Sequence, residues 1–262
     1  MRILVLLAAL ALLSGCPHST PPPKDEITDP ALIRGGIDAR VERFSTARFK
    51  EVVLDYFGEG ERVKVRQLIL VKQPNYLRVQ TRLPGSDELM NVLVSDGETF
   101  AMHRRDTNDF YQGPATKENI ARLLPVDLSA KDVGRVMVGG APWDRFDEQE
   151  AEPTLSWDTA RGAYAYRVAT KKGGALKMWV RHGDFAVLEV AELNDKGKTV
   201  YQYTTEDWKG KAGRALPEFR RVVWPARDLD FSMDVGETQL DIELPDTLFQ
   251  LDPPPGSRMH AL

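Results

Sequence analysis

The sequence predicts a mainly β protein with short helices (α+β class), in which one antiparallel sheet curves into a deep or barrel-like shape. Two observations favour this class: about a dozen segments alternate apolar and polar residues, and short turn sequences separate them. A third is that no long helical crossovers join these segments, as a parallel sheet would require. Two short helices near the middle of the chain interrupt the strands.

The first half of the chain predicts one helix and then five strands. Asp29 and Pro30 have the pattern of a helix N-cap and first helical residue, and apolar residues then recur at helical spacing up to Phe44. The five strands follow one another through Pro-Asn, Pro-Gly and Asp-Gly turns, as in an antiparallel meander. They are predicted over residues 48–57, 61–72, 76–83, 88–95 and 98–104.

The second half predicts two short helices and then further strands. One helix follows Thr116, and Ser129 with Asp132 three residues later resembles a capping box that starts the other. The acidic stretch 144–152 is interpreted as a solvated loop, and 245–251 as a helical turn. Strands are predicted over residues 163–170, 175–181, 185–193, 199–205, 218–224, 228–235 and 238–244.

The N-terminus has the pattern of a secretion signal peptide followed by a lipid-attachment site. Residues 1–15 combine a basic start with an eleven-residue apolar run, which is too short to span a bilayer and typical of a signal peptide. Leu13-Ser14-Gly15-Cys16 resembles the bacterial lipobox, in which the cysteine is lipidated and becomes the first residue. Residues 16–30 are Pro-rich and predict an extended tether, and residues 31–262 predict one domain.

Composition excludes several classes of function. The chain has 262 residues and a formal net charge of −4, which argues against nucleic-acid binding. Its single cysteine excludes an intramolecular disulfide and any multi-thiolate metal site. The four histidines lack metal-ligand spacing, and no nucleophile, phosphate-loop or dinucleotide motif occurs. We therefore expect a protein that is not an enzyme and has no cofactor or metal.

Four segments resemble the Lol lipoprotein-sorting family, in the order in which that family has them. The first two are LVKQPN at 70–75 and VLVSDGET at 92–99. The third joins Leu128-Ser129 to VGGAP at 138–142, and the fourth is FQLDPPPG at 249–256. Two features depart from the family: Gln73 stands where its carrier has the basic residue that holds the lid, and the loop after Leu83 is short and polar.

The resemblance implies an incomplete antiparallel β-barrel whose apolar concave face is covered by lid helices. It implies that this face binds the acyl chains of lipoproteins in transit, with a periplasmic carrier protein as a further partner. With the lipobox, it predicts a protein anchored by lipid in the outer membrane and facing the periplasm. Two alternatives stay open: a periplasmic sensor or regulator on the same fold that binds lipidated or unfolded proteins, and a lipid-anchored hydrolase whose site assembles only in three dimensions.

The predicted acyl cavity draws its residues from the apolar face of each strand. An acyl chain offers no hydrogen bonds, so it binds through apolar area, at about 25 cal/mol per Å². Each residue could equally pack a solid core, and a one-residue error of register would exchange the two faces of a strand. The nominated wall residues are Val63, Val65, Leu77, Val79, Val92, Val94, Phe100, Met102, Leu176, Met178, Val180, Leu188, Val190, Phe231 and Met233; the lid residues are Ile120, Leu124, Val133 and Met137.

Overall fold

Fourteen strands within the described residues form one sheet. The computed structural model describes residues 19–58, 60–86, 88–122, 128–211 and 213–262. The strands are β1 (Thr46–Gly58), β2 (Glu61–Lys72), β3 (Tyr76–Arg82), β4 (Leu89–Ser95), β5 (Thr99–Arg104), β6 (Asp109–Pro114), β7 (Thr154–Asp158), β8 (Ala163–Ala169), β9 (Ala175–Arg181), β10 (Val187–Leu193), β11 (Thr199–Lys209), β12 (Leu216–Trp224), β13 (Leu229–Leu240) and β14 (Arg258–Ala261).

Four α-helices and two 3-10 turns accompany these strands in the described part of the chain. The helices are α1 (Pro30–Glu42), α2 (Lys117–Ala121), α3 (Ala130–Met137) and α4 (Trp143–Asp147), and the 3-10 turns are Pro225–Arg227 and Asp246–Phe249. The predicted N-caps are confirmed: the Asp29 carboxylate accepts from Ala31 N–H, and Ser129 Oγ accepts from Asp132 N–H.

The sheet is open, and its two halves meet at β1 and β13. The strand order is β14-β6-β5-β4-β3-β2-β1-β13-β12-β11-β10-β9-β8-β7, so β14 and β7 are the edges. Neighbouring strands pair antiparallel, except that β14 lies parallel to β6. A single unclosed sheet of this size, with few short helices, confirms the predicted fold class of a mainly β, incomplete barrel.

The predicted secondary structure differs from the observed one at five elements. Strands β6, β7 and β14 are not predicted, because at four to six residues each is too short for its pattern to stand out from the neighbouring turns. The prediction of a solvated loop at 144–152 is partly wrong, since helix α4 occupies the first part of it. In this helix Trp143 and Phe146 are buried, although acidic residues lie next to them in the sequence. The two strands predicted at 228–235 and 238–244 are one strand, β13, that continues through Gly236.

The core consists of two large clusters on the inner face of the sheet. The first joins β8–β13 to α1 and α4 and contains Ile33, Trp143 and Tyr164. The second joins β1–β5 to α2 and α3 and contains Phe49 and Phe100. Met233 on β13 packs against both clusters, so the two parts of the interior meet beside this strand.

The predicted tether is fixed to the sheet from Thr20 onward. Thr20 N–H donates to Thr159 O at 2.7 Å, and Trp157 Nε1 donates to Thr20 O at 2.9 Å. Further along, Ile27 N–H donates to the Tyr164 hydroxyl at 3.0 Å. This part of the predicted tether is therefore attached to the domain, because its backbone finds partners on β7, on β8 and in the turn between them.

Two N-terminal predictions lie outside the described residues: the signal peptide of residues 1–15 and the lipidated Cys16. Among the residues that the structure does describe, no helix is both long and apolar enough to cross a membrane.

Candidate functional site

An apolar cavity of about 110 Å³ lies between helix α3 and the inner face of the sheet, where the two core clusters meet. Helix α3 contributes Val133, Val136 and Met137. The remaining walls come from strands of both halves of the sheet and from the loops on either side of α3. These wall residues are Leu54, Gln67, Ile69, Val79, Leu128, Pro142, Tyr201, Tyr203, Arg220, Val222, Phe231 and Met233.

Most of the nominated residues lie in the interior, and some of them line the cavity. Those in the cavity wall are Val79, Phe231, Met233, Val133 and Met137. Eight others are buried in the same two clusters without lining the cavity, so they pack as core; these are Leu77, Phe100, Met102, Leu176, Met178, Val180, Val190 and Ile120. Leu124 lies outside the described residues.

Two of the nominated residues, Val63 and Val65, lie on β2, and they differ in burial. Val65 is buried and pairs with Leu54, which lines the cavity. Val63 pairs with Tyr56 nearer the end of the same strand, and its side chain is 42% exposed. Val63 therefore belongs to the rim of the barrel and not to the cavity.

Three nominated residues lie on the outer face, and this part of the prediction is wrong. On β4 the inward residue is Leu93, which pairs with Val79, while Val92 and Val94 pack with Phe110 in a separate outer cluster. The cause is register, since every residue from 92 to 94 is apolar and alternation cannot choose a face.

The third misplaced residue is Leu188, which packs in an outer cluster beside Trp179. A bulge lies between Val187 and Glu189 in the pairing of β10 with β9. The extra residue changes the side to which the following side chains point, so Val187 and Val190 both face the interior although they are three residues apart. Strict alternation along β10 cannot predict this.

Several wall residues were missed by the sequence reasoning. Tyr201, Tyr203, Arg220 and Val222 lie on predicted strands but are not among the nominated residues. A usable signal exists for the tyrosines: in YQYT at 201–204 they alternate with polar residues on one face of β11. Nothing in the local sequence indicates that Arg220 points inward and Arg221 outward.

Helix α3 begins and ends at well-defined caps. Beyond the Ser129 N-cap, Gly140 N–H donates to Arg135 O at 2.8 Å and Gly139 N–H to Val136 O at 3.1 Å. Gly139 has a φ of +79°, a left-handed conformation that glycine adopts without strain, and it ends the helix. The chain can therefore turn back at Gly139 and leave the apolar side of α3 on the cavity.

Residues of the sheet hold the C-terminal end of α3. Arg220 Nη2 donates to Met137 O at 2.7 Å, and the Tyr203 hydroxyl donates to Val136 O at 3.4 Å. Burial raises the pKa of Tyr203 to about 12, so its hydroxyl stays a donor at neutral pH. Gln73, the position at which the family's carrier has its basic residue, lies in the β2–β3 turn, where its N–H donates to Ser45 O.

A larger groove of about 410 Å³ on the outer face of β1–β3 has a different character. Its cationic side chains are Arg48, Lys50, Arg66, Arg78 and Arg82. Several are engaged by neighbours: Arg78 Nη1 donates to Leu248 O at 2.6 Å, and Lys50 pairs with Glu237 at 3.3 Å. This groove is open and lined by several charged side chains, whereas the cavity under α3 offers the apolar walls that an acyl chain requires.

The described residues hold no group of three or more His, Cys, Asp or Glu side chains placed to bind a metal ion. In that same part of the chain, the cavity wall contains three uncharged polar side chains, Gln67, Tyr201 and Tyr203, together with the cation Arg220. The chemistry that this arrangement supports is binding through apolar contact, with one charged donor group.

Comparison with known proteins gives similarity of structure only. No family model matches the chain, and no curated protein matches it in sequence. A DUF1329 family protein from Desulfovibrio piger superimposes with a TM-score of 0.60 at 16% identity, covering 85% of this chain and 98% of that one.

Two further solved structures have a similar fold, and the name of one of them refers to lipoprotein sorting. A LolA superfamily protein from Nitrosomonas europaea gives a TM-score of 0.57 at 13% identity, covering 86% of this chain and 98% of its own. A protein described as an outer-membrane lipoprotein-sorting domain, from Vibrio parahaemolyticus, gives 0.59 at 8% identity, covering 83% and 94%. The chain therefore has the fold of LolA superfamily proteins, as its sequence motifs predict.

Proposed function

We propose that this protein binds the acyl chains of lipoproteins under helix α3 and acts without catalysis in their sorting or insertion at the outer membrane. The observation that carries the proposal is the cavity between α3 and the sheet, whose walls are almost entirely apolar. Similarity of fold to a LolA superfamily protein and to a protein named as a lipoprotein-sorting domain adds support. The partners that we propose are the membrane, through a lipid on Cys16, the acyl chains of the cargo, and a periplasmic carrier that delivers it.

The structure is that of a closed state. A cavity of about 110 Å³ is well below the roughly 300–1,000 Å³ of typical ligand pockets. A long acyl chain therefore requires α3 to move away from the sheet, and this opening breaks two contacts, Arg220 to Met137 O and Tyr203 to Val136 O. The cost of opening is offset by the apolar area that the chain covers, at about 25 cal/mol per Å².

Filling the cavity from the side of α3 tests the proposal. Val133 lines the cavity, whereas Lys131 lies on the exposed side of the same helix, so Val133→Phe and Lys131→Phe add the same ring inside and outside. The purified protein should bind a fluorescent C16 fatty acid, Val133→Phe should weaken binding at least tenfold, and Lys131→Phe should leave it unchanged. Equal affinities in all three proteins, or no binding by the wild type, would contradict the proposal.

Sorting itself needs a transfer experiment. A periplasmic carrier loaded with a labelled lipoprotein should release it to the wild-type protein and release less to Val133→Phe. If the protein binds free acyl chains but takes no lipoprotein from the carrier, the acyl-binding part of the proposal stands and the sorting part fails.

A further inference from the structure

Arg220 is a cation buried in the wall of an apolar cavity. Its side chain is 1% exposed, and its guanidinium lies 5.7 Å from the centroid of the Phe49 ring. Nη2 donates to Met137 O at 2.7 Å, while Nε and Nη1 have no hydrogen-bond partner in the described residues. A buried N–H group without an acceptor is costly, so two such groups beside a cavity indicate a place for an acceptor.

Arg220 also differs from the other buried arginines in the described residues. Arg40 lies 3.2 Å from a carboxylate oxygen of Asp184, and Arg145 lies 3.0 Å from one of Glu192. Arg220 forms no ion pair within the described part of the chain, and no carboxylate among those residues lines the cavity. Burial lowers its pKa, and the side chain that opposes this effect is Tyr203.

An arginine remains charged at any ordinary pH, so its burial here leaves a positive charge without a countercharge. The contact with Met137 O and the nearby aromatic ring satisfy it only in part. An anionic group placed in the cavity would accept a charge-assisted hydrogen bond from Nε or Nη1 and neutralise the charge. The apolar wall residues, among them Val133, Phe231 and Met233, would surround the rest of such a ligand.

We propose that the cavity selects acyl amphiphiles with an anionic head, a carboxylate or a phosphate, which binds to Arg220 beside the Tyr203 hydroxyl while the chain lies along the apolar walls. This inference rests on the acyl-binding part of the proposed function and specifies the head group. Acyl chains in ester or amide linkage bring carbonyl acceptors but no charge, so their heads satisfy Arg220 less completely.

The experiment compares four C16 probes on the purified wild-type protein, each below its aggregation concentration: palmitate, hexadecyl phosphate, methyl palmitate and hexadecanol. Palmitate, hexadecyl phosphate or both should bind at least tenfold more tightly than the two neutral probes. The stronger of the two anions identifies the head, a carboxylate as in a free fatty acid or a phosphate as in a phospholipid. Arg220→Met also removes the contact with Met137 O, which affects the four probes alike, so the readout is their relative affinity: the preference for anions should be abolished in Arg220→Met and partly retained in Arg220→Lys.

The outcomes separate the inference from the proposed function. If all four probes bind the wild type with equal affinity, the cavity binds acyl chains and the selection for an anion is overturned. If none binds, the proposed function fails as well. Thermal unfolding of Arg220→Met shows whether that variant is folded, and if it is not, the comparison of charged with neutral probes on the wild type decides the question without it.

Discussion

The guanidinium of Arg40 is fully buried and lies 3.2 Å, from Nη1 to Oδ2, from the carboxylate of Asp184. The pair joins helix α1 to the turn between β9 and β10, and Arg40 Nη2 also donates to Ala215 O. Burial alone would raise the pKa of Asp184, but hydrogen bonds from Arg181 and the charges of Arg181 and Arg40 hold it below its usual value. Burial lowers the pKa of Arg40 to about 10.

Removal of Asp184 should destabilise the protein strongly, because it leaves the buried charge of Arg40 without its partner. We expect Asp184→Ala to lower the free energy of unfolding by about 3 kcal/mol, measured by urea denaturation. The matched control is Asp230→Ala, which breaks the exposed pair of Asp230 with Arg221 (2.6 Å) and should cost less than about 1 kcal/mol. A similar loss in both variants would show that the buried pair has no special role.

The stability of the protein should fall between about pH 4 and pH 7 because of Asp132. This carboxyl is buried at the start of α3, where Oδ2 accepts from Asp144 N–H and Oδ1 has no hydrogen-bond partner among the described residues. Burial, with the nearby charge of Asp144, raises its pKa to about 7, and the backbone hydrogen bond and the charges of Arg135 and Lys131 oppose this only in part.

The direction of this pH dependence follows from the raised pKa of Asp132 in the folded state. Below the pKa of the unfolded chain, about 3.9, Asp132 is protonated in both states and causes no penalty. Between that pH and about 7 the unfolded chain releases the proton while the folded state keeps it, so stability falls as the pH rises, and above about 7 the penalty is constant. Urea denaturation at a series of pH values should show this loss of stability in the wild type and a flatter profile in Asp132→Asn. The same profile for both proteins would assign the pH dependence to other groups.

The attachment of the edge strand β14 to β6 should depend on Asp109. Its carboxylate lies 2.8 Å from His260 Nε2 and 2.9 Å from Arg258 Nε, both on β14. Hydrogen bonds from Thr107 and His260, with a further contribution from Arg258, lower the pKa of Asp109 to about 2.

Asp109→Asn should therefore release β14, seen as faster hydrogen exchange at Arg258–Ala261. The control is Asp106→Asn, in the exposed turn before β6, where Asp106 pairs with Arg104 at 3.2 Å. Unchanged exchange in the first variant would mean that backbone pairing with β6 alone holds the strand.

The N-terminus should carry lipid. Mass spectrometry of the protein taken from cell envelopes should show a chain that begins at Cys16 with acyl groups attached, and Cys16→Ser should abolish both the modification and membrane retention. Cleavage at another position, or an unmodified Cys16, would overturn the proposed anchor.

The sequence predicts the overall fold well because each local signal acts within a few residues. The Asp29 and Ser129 caps, the Asp-Gly turn at 96–97 and the alternation along β2 all appear in the structure. Helix α4 shows the limit: its acidic residues face outward and conceal two buried aromatics, Trp143 and Phe146, which pack on Tyr166 from a distant strand.

The candidate site is less predictable, because it depends on the face of each strand and on contacts across the sheet. Val92 and Val94 were assigned to the wrong face because Leu93 between them is equally apolar. Leu188 was misplaced by a bulge that leaves no mark in the sequence. Arg220 could not be found at all, since only tertiary packing places it beside Met137, more than eighty residues earlier.

The docking of Thr20 onto β7 and its turn limits how the barrel can sit on a bilayer. Four residue steps separate Cys16 from Thr20, and a fully extended chain covers at most about 14 Å in that length. With a lipid on Cys16, the attachment point at Thr20, beside the edge strand β7, would stay within that distance of the membrane surface. The barrel would then lie close to the bilayer on its β7 side instead of at the end of a long flexible linker.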